Sequence, residues 1–405
     1  MSWQFTLERI AKVVPSLRDA MVRDRRPIES FCLYRGDVDG DHVKGTPFDT
    51  GGRFTGREEC VTLETAVRVP ASWAGGRVFA FVDLVDDDGD THHGIEALVY
   101  VDGKPVQSID RYHHALRLTE SAEGGERFEL SLRGYLGLGD NWGSRKLTPM
   151  HAWMRRAELQ LIDRSTEALY FDIATALECA RNVDSSTVAH HKIVRALDEA
   201  VNLLDFRDGD KSDSFYRSVE AALASVRANL YDKLHADPEL SPTVYAVGHA
   251  HIDTAWLWRI EHTKKKIART GTTAVEMMQQ FPDYRFTCSQ PQQYVYLKEN
   301  APDVYERVKA AVDAGTWEPI GGMWVESDCN LPSGESLVRQ FLYGMRFFEK
   351  EFGKTPSVVW LPDVFGYSAA FPQIIKKAGL KYFMTIKIYW NQTNKPPYQT
   401  FDWEG

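Results

Sequence analysis

From Thr243 onward, short apolar runs alternate with amphipathic stretches of helical period, and this alternation constrains the fold more than any other feature of the 405 residues. Strands are expected near residues 243–248, 284–289, 317–325, 357–362 and 381–387. Between them, Ile267, Gly271, Ala274, Met278 and Phe281 make one helical stripe ended by Pro282. Leu337, Phe341, Met345, Phe348 and Phe352 make another, ended by Gly353. Pro302 opens a third helix that Gly315 closes, and Pro372 sits early in a fourth closed by Gly379. Such βαβα order implies a parallel sheet or barrel, in which ligands gather at the carboxyl ends of the strands.

The chain is too long for one ordinary domain, and its patterning changes along its length. Residues 1–57 are expected to be an N-terminal extension, partly helical over Leu7 to Met21. Residues 58–164 read as an antiparallel β-sandwich. Val61, Leu63, Thr65, Val67 and Val69 alternate, as do Phe128, Leu130 and Leu132, and Asp102-Gly103 is a hairpin signal. Residues 165–240 read as a helical linker, with Ile193, Leu197, Val201 and Leu204 on one face and Phe215, Val219, Leu223, Val226 and Leu230 on another; a Pro-broken stretch from His235 to Pro242 closes it. Residues 241–405 form the α/β part. The Asp86 to Asp90 run is expected to be a hairpin turn and not a calcium loop, and the pairs His92-His93 and His190-His191 are expected at the surface.

A formal charge of -9 and a pI near 5.8 give no field for nucleic acid or an anionic membrane, so a neutral substrate suits the chain better. Five scattered cysteines without a Cys-x-x-Cys pair read as reduced thiols. No apolar run approaches the ~18 residues of a spanning helix, and a cytoplasmic location is expected. The composition leaves a homo-oligomer open.

Candidate chemistry lies at two strand ends. His251 and Asp253 follow the first expected strand, and an i, i+2 pair on extended backbone projects to one side. Asp363 follows the fourth. An imidazole and two carboxylates delivered together are ligands suited to a catalytic zinc site. Each also has a structural reading: a strand-end histidine as a hydrogen-bonded loop residue, which suits His249 best, and Asp253 or Asp363 as a helix N-cap. Trp256, Trp258, Trp324, Phe365 and Tyr367 cluster near the same edges, where they can pack or stack on a sugar. Glu326, Asp328 and Asn330 form a polar loop at another edge.

The words His249-Ala-His-Ile-Asp-Thr-Ala-Trp-Leu-Trp258, Cys288-Ser-Gln-Pro-Gln-Gln-Tyr294, Gly321 to Ser336 and Trp360-Leu-Pro-Asp-Val-Phe-Gly-Tyr-Ser368 resemble α-mannosidases of glycoside hydrolase family 38, continuously from about residue 243. The likeness is to the cytosolic, vacuolar and bacterial subgroup. It implies a retaining exo-α-mannosidase acting on mannose-containing oligosaccharides, built on a (β/α)7 barrel with one divalent metal, zinc or another ion such as cobalt. It implies His251, Asp253 and Asp363 as ligands, Asp363 also as nucleophile, Trp256 under the terminal mannose, Phe365 as a second wall, and Lys387 as a basic substrate contact near the nucleophile; Asp328 is read as a further substrate contact from its location in the polar loop alone. The family's acid/base aspartate and fourth ligand match no residue before 405. The resemblance therefore implies an N-terminal fragment ending within the barrel, with little activity and poor solubility by itself. Two other readings remain: a metal-dependent deacetylase-like hydrolase, and a non-catalytic glycan-binding protein.

Overall fold

The computed structural model describes residues 3–36, 44–86, 95–110, 112–136, 138–139, 148–233, 243–256 and 258–405. The expected turn at Asp86 to Asp90, the pair His92-His93 and the break from His235 to Pro242 lie largely or wholly outside these residues.

Among the described residues, twelve strands build the sandwich: β1 Val22–Pro27, β2 Ser30–Arg35, β3 Thr46–Asp49, β4 Arg53–Gly56, β5 Glu59–Arg68, β6 Arg77–Asp86, β7 Glu96–Val101, β8 Lys104–Ile109, β9 Ala115–Thr119, β10 Arg127–Leu136, β11 Leu138–Gly139 and β12 Thr148–Ile162. One sheet runs β3-β2-β5-β10-β7-β8. The other runs β1-β12-β6-β9, with β4 and β11 also pairing β12. Every pairing is antiparallel, and the alternating residues Val61, Leu63, Val67, Leu130 and Leu132 point into the shared core with Val78, Val82 and Leu159. Asp102 and Gly103 both take positive φ, 50° and 77°, as a two-residue hairpin requires.

Four of these strands precede residue 57, where an extension was expected. They are only four to six residues long and are separated by Pro and Gly, too short for a period to emerge from sequence.

Helix α1, Trp3–Ala20, leaves the sandwich and joins α2 Arg164–Asn182, α3 Val188–Leu203 and α4 Asp213–Val226 in one bundle. Ile10 and Leu17 of α1 share a core with Leu169, Ile173, Leu197, Phe215 and Val219. Asp163, Thr187 and Ser212 cap the amino ends of α2, α3 and α4 by accepting backbone N–H bonds. His190, expected at the surface, is buried at 3% exposure because it falls on the inward stripe of α3.

Beyond Thr243 the order is β13 Gly248–His249, α5 Ile260–Gln280, β14 Phe286–Cys288, α6 Pro291–Asn300, α7 Pro302–Asp313, β15 Trp317–Pro319, α8 Gly334–Phe352, β16 Val358–Trp360, α9 Phe371–Lys377 and β17 Tyr382–Met384. Strands β13, β14 and β15 pair in parallel, as do β16 and β17, and Gly321 N–H donates to Val358 O at 3.1 Å between the two groups. The strands are shorter than the apolar runs. Val244 and Tyr245 stand exposed before β13, and Gly321 and Gly322, at φ 103° and 78°, turn the chain away soon after Pro319. Aromatic packing fills the interior around Phe286, Trp317, Tyr294 and Phe348.

The sandwich docks on α5. Glu96 of β7 receives Lys266 at 2.8 Å and also Arg269, while Ser108 N–H of β8 donates to Thr273 Oγ1 at 3.1 Å. Among the described residues no helix is long and apolar enough to cross a membrane.

Candidate active site

Past β13, Ile252 is buried in the core while His251 and Asp253 on either side of it are half-exposed and meet each other. Two buried glutamines hold this segment. Gln290 and Gln293 donate to Ile252 O at 3.0 and 2.7 Å, and Gln290 Oε1 accepts from Thr254 Oγ1 at 2.8 Å and from Glu326 N–H at 3.2 Å. The Trp258 indole donates to Thr263 Oγ1 at 3.0 Å, and Thr263 Oγ1 donates to Thr254 O at 2.9 Å, pinning the loop to the start of α5.

Asp363, past β16, meets this pair. His251 Nε2 lies 3.4 Å from Asp253 Oδ1 and 3.4 Å from Asp363 Oδ2. Lys387 Nζ, 6% exposed, pairs with the other oxygen of Asp363. Tyr367 fixes that relation: its hydroxyl lies 2.8 Å from Val364 O and 2.5 Å from Thr385 Oγ1, which accepts from Lys387 N–H at 3.1 Å.

The donor set fits a divalent ion. One ligand atom each from His251, Asp253 and Asp363 lie within 4.8 Å of one another, and both ring nitrogens of His251 are buried without an aligned hydrogen bond. One imidazole nitrogen with carboxylate oxygens suits zinc or cobalt. His249, His251 and Glu326 are equally close together, but His249 is fully engaged: Nδ1 contacts Thr287 O at 2.9 Å and Nε2 accepts from Trp360 Nε1 at 3.1 Å. His249 is thus a hydrogen-bonded structural residue with no free lone pair. Burial alone would lower the pKa of His251, but the carboxylates of Asp253 and Glu326 outweigh it and raise it to about 10. A cation at this place competes with that proton.

Trp256 is 42% exposed and stands edge-on to Trp258, their centroids 5.3 Å apart. Phe365 is 74% exposed, and Lys387 Nζ sits 4.6 Å from its ring centroid and 3.2 Å from that of Trp390. Asp328 stands apart in its bonding: its exposed carboxylate accepts the N–H groups of Asn330 and Leu331 at 2.8 and 2.7 Å, the geometry of an Asx turn. Sequence reasoning missed the glutamines, the part played by the Tyr367 hydroxyl and the place of Glu326. Gln290 and Gln293 stand in the quoted Cys288 to Tyr294 word, yet nothing local predicts that their amides reach across to Ile252.

Residues 241–405 match the glycosyl hydrolases family 38 N-terminal domain, and residues 38–160 match the α-mannosidase jelly roll domain. The chain belongs to glycosyl hydrolase family 38. Among curated relatives, α-mannosidase 2C1 of Homo sapiens is 34% identical over all of this chain and 39% of its own length. α-Mannosidase G of Dictyostelium discoideum is 37% identical over 76% of this chain and 29% of its own. The α-mannosidase of Saccharomyces cerevisiae is 35% identical over 62% and 24%. This family 38 chain therefore spans well under half the length of these relatives. α-Mannosidase 2 of Mus musculus is more distant, at 25% over 36% of the chain.

Proposed function

We propose that the chain carries the metal and nucleophile side of a retaining exo-α-mannosidase site that releases terminal α-linked mannose from oligosaccharides. The observation that carries this is the meeting of His251 and Asp253 with Asp363, delivered from two strand ends far apart in sequence. The expected setting is a (β/α)7 barrel to which residues 241–405 contribute, preceded by the sandwich and a helical linker, in a cytoplasmic polypeptide.

A bound zinc or cobalt would supply a positive charge to which two adjacent sugar hydroxyls can be held. His251 and Asp253 would fix the ring beside Asp363, and the exposed faces of Trp256 and Phe365 would stack on its C–H surfaces. Asp363 then attacks C1: a carboxylate oxygen–C1 bond forms as the C1–O bond to the leaving group breaks, and water later hydrolyses the ester with retention. Lys387 holds one oxygen of Asp363, which orients the other. Protonating a natural leaving oxygen needs a second carboxyl about 5 Å from the nucleophile. The resemblance assigns that role to no residue before 405, so turnover of oligosaccharide by these residues alone is expected to be small.

A 2-fluoro-mannosyl fluoride avoids that requirement, because fluoride leaves with its electron pair and needs no proton. Incubated with zinc-loaded protein, it is expected to add one fluoromannosyl mass to the peptide containing Asp363, and none in Asp363→Asn. A zinc-binding protein that gains no adduct would overturn the mannosidase reading and favour hydrolysis without a covalent sugar, or glycan binding alone.

A further inference from the structure

Glu326 occupies a position that neither the ligands nor the nucleophile account for. Its side chain is 4% exposed, and its Oε2 lies 2.8 Å from His251 Nδ1. Ser289 Oγ donates to its Oε1, and its backbone N–H donates to Gln290 Oε1 at 3.2 Å. The carboxylate is thus held by Ser289 and its backbone by Gln290, both just past the end of β14. A buried carboxylate so placed is a costly feature unless it meets a positive or proton-donating partner, and His251 Nδ1 is the ring atom facing it. The 2.8 Å separation suits a charge-assisted hydrogen bond, although ring and carboxylate are not aligned for one in this structure.

The two ring nitrogens are then distinguished. Nδ1 faces Glu326, and Nε2 faces Asp253 and Asp363. An imidazole whose Nδ1 proton is held by a carboxylate presents its lone pair at Nε2, with the ring angle fixed and its basicity increased. We propose that Glu326 is a positioning residue that fixes the tautomer and orientation of His251, so that Nε2 rather than Nδ1 faces the cation at the Asp253–Asp363 site. Ser289 and Gln290 hold Glu326 in turn. This rests on the metal reading given above.

The test is zinc affinity of the whole chain, measured at pH 7.5 by competition with a chromophoric chelator, for wild type, Glu326→Gln and Glu326→Ala. Loss of such an outer partner typically weakens metal binding by about 10–100-fold. Glu326→Gln is expected near the lower end and Glu326→Ala near the upper. Ser289→Ala should move affinity in the same direction by less. Ring nitrogen shifts separate positioning from a general loss of structure: the zinc-loaded wild type should show His251 protonated at Nδ1 and metal-bound at Nε2, and zinc-loaded, folded Glu326→Gln a mixture of rings bound through Nε2 and through Nδ1. If Glu326→Ala does not fold, Glu326→Gln still decides. Equal zinc affinity and an unchanged tautomer in folded Glu326→Gln would overturn this inference alone. A wild type that binds no zinc would overturn the metal reading with it.

Discussion

His251 concentrates the electrostatics of the site. Without a cation it holds a proton up to about pH 10, because Asp253 and Glu326 raise its pKa against the effect of burial. A histidine with a raised folded-state pKa contributes stability that is complete below its ordinary value near 6.5 and is lost as pH climbs through the folded value. Melting of the metal-free protein should therefore move down between about pH 6.5 and 10. Zinc needs the neutral ring, so its binding at pH 7.5 should expel about one proton. Calorimetry in two buffers of different ionisation enthalpy measures this directly; zinc binding with no buffer dependence would mean that His251 is already neutral. Histidine and aspartate identities made this chemistry legible in sequence. The direction in which each ring nitrogen points was not, because that depends on Glu326, which arrives from a separate strand end.

At the scale of elements, the loop carrying Glu326 depends on a close backbone approach. Helix α8 passes so near the Gly321–Gly322 turn that a Cβ on Gly344 would overlap the carbonyl of Gly322 and the backbone of Met323. Alanine would gain about 1 kcal/mol of helix propensity at that position. Overpacking against backbone, which cannot rotate away, costs about 1–3 kcal/mol. Gly344→Ala should therefore destabilise the protein on balance, read by chemical denaturation. A variant as stable as wild type would show that α8 and the turn can separate. The helices of this region were legible because their stripes, prolines and terminal glycines agree. The strand lengths were not: the expected 317–325 run contains the two positive-φ glycines that turn the chain away, and only three of its residues pair as β15.

Across the whole molecule, the sandwich and the α/β part meet through charge as well as packing. Glu96 is held well below the ordinary carboxylate range: burial opposes this, and Arg269, His262 and Lys266 outweigh it. Lys266 also stands 5.1 Å from the Trp258 ring centroid, so the junction reaches the loop that bears Trp256. None of this was legible from periodicity, which reports which face of an element is apolar and not which elements touch. The metal-capable residues of the family words meet in one place because they follow strand ends, where parallel topology gathers them. Those ends are expected to share one ion. Crystals of the protein soaked in zinc and measured on both sides of the zinc absorption edge are expected to give one anomalous peak within about 2.3 Å of His251 Nε2 and of carboxylate oxygens of Asp253 and Asp363. A peak on His249, or none at Asp363, would contradict it.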